Sequence, residues 1–188
     1  MNRRHFLQSS LLASVLAPSA WAADAGSPRA PAGFKVAGKN NRLSEDLLIM
    51  GGRFDLKVSA RDTGGALCIY DTVRDSKGGP ALHLHHFQDE WFYVIRGNFV
   101  VQVGEQRFEL RPGDSAFAPR KIPHAFAMVS EGEGQMLVLF QPAGSMEEFF
   151  HAMSMNVGKG IPKPAEREAM RKLWSEHGME IVGPPLTF

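Results

Sequence analysis

The stretch His83-Leu84-His85-His86-Phe87-Gln88-Asp89-Glu90 concentrates the chemistry of this chain. Side chains alternate along a strand, so His83 and His85, two residues apart, share one face. Glu90 opens the next strand pattern and can supply a carboxylate oxygen from the neighbouring strand. His124, 34 residues past Glu90 and beyond a Pro-Gly turn, can add a third imidazole. Three neutral imidazoles and a carboxylate suit one divalent first-row metal, whether Fe, Mn, Co, Ni, Cu or Zn. They also leave coordination positions open for a small-molecule ligand. His86 has the opposite parity and should point away. His151 and His177 fall in a helical tail and read as solvated.

The segments that must position these residues are short and strand-like. Phe54, Leu56 and Val58 alternate with Asp55, Lys57 and Ser59, the pattern of a half-buried strand. Further strand-like runs fall at 66–73, 81–86, 90–96, 98–103, 106–110, 114–118, 124–130 and 134–141. Gly- and Pro-containing turns divide them, among them Gly78-Gly79-Pro80, Gly97-Asn98 and Pro112-Gly113. Many short strands so punctuated predict an all-β sandwich or barrel of jelly-roll type. The tail differs. Ser145 is a good helix N-cap followed by Glu147 and Glu148, and Pro164 to His177 reads as a second helix closed by Gly178. Met146, Phe149, Phe150 and Met153 are expected to pack these helices on the barrel, and the residues after Gly178 to add a short edge strand.

His83-x-His85-x4-Glu90-x6-Gly97 resembles the first sequence motif of the cupin superfamily, and Gly113-x5-Pro119-x4-His124 resembles the second. The resemblance covers roughly residues 50 to 142. This chain departs from the usual pattern at Lys121, where cupins commonly carry Gly, and at Met128, where many carry Asn. The resemblance implies a small jelly-roll barrel, with His83, His85, Glu90 and His124 as metal ligands. It divides the chain into 1–22, a 23–45 leader, a 46–142 barrel and a 143–188 helical extension. A single barrel with a helical tail is similar to the quercetin-dioxygenase-like monocupins. That implies a metal-dependent dioxygenase acting on a flavonol-like or other enolic or phenolic molecule, with Glu90 also acting as base. Strand parity places Phe92, Phe126 and Met128, with Phe99, on the walls of an apolar substrate pocket. A lyase, isomerase or decarboxylase on a small oxoacid would use the same ligands, as would a non-enzymatic binder of a metal or small ligand. Cupin barrels commonly pair through their sheets, so the resemblance leaves room for a homodimer.

The N-terminus reads separately. Asn2-Arg3-Arg4-His5-Phe6-Leu7, the apolar run Leu11 to Ala17, and Ala20-Trp21-Ala22 together resemble a twin-arginine export signal with its cleavage site. The apolar run is too short to span a membrane, which takes about 20 residues. The mature chain is therefore expected in the periplasm or secreted, with no membrane attachment after signal removal. The whole sequence carries 21 basic and 20 acidic residues. Losing Arg3 and Arg4 would leave 19 against 20, so no basic surplus points to nucleic acid. Phosphate-loop and dinucleotide patterns are absent. The lone cysteine, Cys68, lies in an apolar run and reads as a small buried hydrophobe.

Overall fold

The computed structural model describes residues 29–156 and 164–188. The export signal read in residues 1–22 and the first part of the leader lie outside the described residues. Eleven strands and three helices follow one another: β1 (Leu48–Ile49), β2 (Gly52–Val58), α1 (Ala60–Thr63), β3 (Cys68–Arg74), β4 (Ala81–His85), β5 (Asp89–Arg96), β6 (Phe99–Val103), β7 (Gln106–Leu110), β8 (Ser115–Ala118), β9 (His124–Met128), β10 (Gly134–Gln141), α2 (Met146–Asn156), α3 (Pro164–Glu176) and β11 (Met179–Pro185). They form two antiparallel sheets, ordered β1-β2-β3-β10-β5-β8 and β11-β4-β9-β6-β7. The architecture is a jelly roll with a helical tail, as the strand spacing predicts.

Register explains why the alternating residues bury as they do. In the first sheet Tyr70, Val138, Phe92 and Ala116 stand opposite one another and face inward. The next inward row is Cys68, Phe140, Glu90 and Ala118. The row between them, Ile69, Leu139, Trp91 and Phe117, has the other parity and faces out. Cys68 is fully buried in the core, and burial pushes its thiol well above the ordinary range.

Two features escaped the strand pattern. Helix α1 is a single turn whose Ser59 cap and Asp62 form a reciprocal capping box. The short β1 pairs with β2 and covers its edge. The tail does more than pack. Strand β11 pairs with β4, setting Met179 opposite His85 and Ile181 opposite His83. In α2 and α3, Phe150 stacks on Phe54 and Tyr70 at 5.0 and 4.8 Å, and Phe149 meets Trp174 at 5.1 Å. At the N-terminus of α2, Glu147 accepts hydrogen bonds from Ser59 Oγ and the Ala60 amide, tying α2 to α1. His177, read from sequence as solvated, is half-buried. Its Nδ1 shares a 2.9 Å hydrogen bond with Ser145 Oγ, and its ring lies 5.7 Å from Phe149. His151 stays exposed beside Glu45.

Candidate metal centre

His83, His85, Glu90 and His124 are all buried, and their ligand atoms lie within 4.8 Å of one another. Three of the four come from the second sheet: His83 and His85 from β4, and His124 from β9. His83 and His124 are direct cross-strand partners, the single registered pair joining β4 to β9. Their ring centroids are 4.7 Å apart. Glu90 arrives from the first sheet, where β5 pairs with β10 and β8 rather than with β4. The carboxylate therefore reaches across the barrel, a correction to its expected origin on a neighbouring strand.

Backbone anchors hold two imidazoles. Nδ1 of His83 donates to the Ala81 carbonyl and Nδ1 of His124 to the Ile122 carbonyl, each at 2.8 Å. That leaves Nε2 of each ring free to face the other ligands, the support that metal-bound histidines usually have. Nε2 of His124 lies 2.8 Å from Glu90 Oε2, and Nε2 of His85 lies 3.3 Å from the same oxygen. His85 has no such anchor: its Nδ1 is buried with no hydrogen-bond partner among the described residues.

The turn before His124 is clamped from two sides. Arg120 pairs with Asp89 at 2.6 Å, one residue before Glu90, and the Lys121 amide donates to the His85 carbonyl at 2.7 Å. The Arg120 guanidinium holds Asp89 below the usual carboxylate range. Lys121 takes the left-handed conformation, φ 67°, at the position where the cupin pattern favours glycine.

Burial and mutual charge set the protonation states. Burial, helped by its histidine neighbours, pushes His83 down to about 3, so its ring is neutral. Burial acts on Glu90 the opposite way, but hydrogen bonds from His124 and His85 prevail and hold it well below its ordinary value. Burial likewise works against a charged His124, and contact with Glu90 overcomes it to raise that ring. Neutral His83, an ionised carboxylate, and two rings already turned on one oxygen make a donor set that fits a divalent first-row metal.

His83, His85 and Glu90 line one wall of a cavity of about 60 Å³. Apart from Arg74 the rest of the lining is apolar, with Phe126, Phe140, Met146, Phe149, Phe150 and Trp174 among it. The edge of the Trp174 ring meets His83 at 4.8 Å. Of the four pocket residues read from strand parity, Phe126 lines this cavity. Phe92 sits behind it, 5.9 Å from Phe126 and 6.3 Å from His124, while Phe99 and Met128 are buried in the barrel core. His86 points away and half-exposes its ring beside Glu180. The tail aromatics, expected only to pack, also roof the cavity. Arg74 was missed altogether, although its parity with Cys68, Tyr70 and Thr72 places it on the inward face of β3.

Residues 72–140, the part of the chain that bears the four donors, match the family model described as Cupin domain. Among curated proteins, the chain is 27% identical over 67 residues to an uncharacterized protein of Methanocaldococcus jannaschii, covering 36% of this chain and 54% of that one. It is 26% identical over 127 residues to quercetin 2,3-dioxygenase of Bacillus subtilis, covering 67% of this chain and 37% of the relative. The chain thus spans about half the length of the first relative and little more than a third of the second. Among solved structures, an RmlC-like cupin from Shewanella frigidimarina superposes with a TM-score of 0.47 at 23% identity, covering 58% of this chain and 90% of that one.

Proposed function

We propose that this chain is an exported, metal-dependent oxygenase acting on an enolic or phenolic small molecule of flavonol-like or simpler type. One observation carries the reading: four buried donors from both sheets converge, and three of them, His83, His85 and Glu90, line a largely apolar cavity. The similarity to quercetin 2,3-dioxygenase supports the same chemistry. His83, His85, Glu90 and His124 would hold the ion. When bound, it would polarise an enolic or phenolic oxygen and leave room for dioxygen. Glu90, whose oxygen is shared between two imidazoles, is the base placed to take the proton of a bound hydroxyl. Phe126, Phe149 and Trp174 keep water from the reacting face.

A second reading, a lyase, isomerase or decarboxylase acting on a small oxoacid, is favoured by the size of the cavity. At about 60 Å³ it holds roughly four to five waters' worth of ligand, a size nearer to a small oxoacid than to a flavonol. The paired arginines and A-x-A site of residues 1–22 support export to the periplasm.

Elemental mass spectrometry of the protein recovered from periplasm, followed by oxygen-uptake assays with enolic and phenolic compounds, tests the oxygenase. One redox-active ion per chain with substrate-dependent oxygen uptake is expected. Zinc alone, or no oxygen uptake with any such compound, would overturn it in favour of the oxoacid reading.

A further inference from the structure

Arg74 closes β3, and the residues directly opposite it on β2 and β10 are both glycine, Gly52 and Gly134. The residue is only 9% exposed and lines the same cavity as His83, His85 and Glu90. One nitrogen, Nη2, donates to the Met50 carbonyl at 2.8 Å, which fixes the direction of the guanidinium. The group also lies over the ring of Phe126, 5.6 Å from its centroid. Its Nε is buried and has no hydrogen-bond partner among the described residues, and none of the ion pairs among them includes Arg74.

The one carboxylate that acts on Arg74 is that of the adjacent Asp75, which makes no ion pair with it, and burial still pulls the guanidinium below its ordinary value. A buried cation without a direct ion pair is costly, and a bound anion would offset that cost. A second donor is unused beside the same space: Trp174 lines the cavity, and its Nε1 is buried without a hydrogen-bond partner among the described residues. Two unpartnered donors, one of them cationic, require an occupant rich in acceptors and negatively charged. Guanidinium and carboxylate match in shape as well as charge. The cavity volume limits that occupant to a compact molecule.

We infer that the cavity takes a small organic acid, its carboxylate on Arg74 and its oxo or enolic oxygen turned toward the His83–His85–Glu90–His124 cluster. This rests on the reading of the cavity as the substrate site, and it narrows either proposed chemistry to acid substrates.

Pyruvate and its uncharged amide, pyruvamide, differ by one charge at nearly equal size. Calorimetric titration of each into the full chain, after removal of metal with a chelator, measures the preference without any contribution from an ion. Pyruvate is expected to bind at least tenfold more tightly than pyruvamide. In Arg74→Met that preference should vanish through loss of pyruvate affinity alone, and in Arg74→Lys it should survive in part. Equal binding of the two probes by the unaltered protein would overturn the inference, and that comparison requires no variant to fold. A preference that persists in Arg74→Met would overturn it too. Absence of oxygen uptake would sink the oxygenase and leave this charge preference unchanged, so the two failures are distinguishable.

Discussion

Each ligand owes its position to a different constraint. His83 and His85 share a face through strand alternation, and their spacing made both legible in the sequence. Glu90 and His124 were legible as possible further donors and became a ligand set through the resemblance, but their offsets say nothing about which sheet they come from. Arg74 went unread because a charged residue at a strand end is ordinarily solvated, although its parity with Cys68, Tyr70 and Thr72 puts it on the inward face. Strand parity gives a sharp expectation. His85→Ala or Glu90→Ala should strip most of the metal from the purified protein, since each removes a buried donor. His86→Ala should leave metal content unchanged, because that ring lies on the outer side beside Glu180. Elemental analysis of the three variants checks this, and equal losses in all three would contradict it.

The strands were legible because their alternation and their Gly and Pro turns are local signals. The roles of β11 and of the tail helices were not, since nothing local tells an edge strand which partner it will find. Helical spacing shows that Phe149 and Trp174 share apolar faces with their neighbours, but not that those faces meet over a cavity. Gly79 illustrates how closely neighbouring elements approach. A Cβ there would fall 1.8 Å from the carbonyl oxygen of Phe126, which is backbone and cannot swing aside. Gly79→Ala should therefore push β9 outward, costing about 2–3 kcal/mol and lowering Tm by roughly 5–10 °C. Because His124 lies two residues before Phe126, metal content should fall with it. Calorimetry and elemental analysis on one sample test both. A variant with native Tm and full metal would show that the contact is looser than the geometry requires.

At the scale of the molecule, the centre joins the two sheets through four side chains, so a bound ion would act as a cross-link. Metal at about a hundred times its Kd would add about 2.7 kcal/mol, so chelation should lower Tm by roughly 5–10 °C. The metal-free chain should also be acid-sensitive. His83 titrates near 3 when folded and at its ordinary 6.5 when unfolded. Between those values the unfolded chain binds a proton that the folded chain refuses, so stability falls as pH drops through that window. Glu90, depressed in the fold, loses its own contribution at the acid end of the same range. His124, raised by Glu90, adds stability as pH falls toward its ordinary 6.5 and keeps that contribution below it, so it opposes the trend only above 6.5. Thermal melts of chelated protein between pH 6.5 and pH 4 should show a steady decline. A flat profile would mean that His83 is less well buried than its surroundings indicate.

The pairing of β11 with β4 also has a meaning in time. A chain made from its N-terminus presents His83 and His85 early, yet the strand that sets Met179 opposite His85 emerges from the ribosome long afterwards. Until then the edge of β4 lies bare. Synthesis order therefore delays completion of the centre until residues 179–185 have been released, and a product cut short before them would carry every ligand and the α2 and α3 aromatics while the strand that bears His83 and His85 lacked its outer partner.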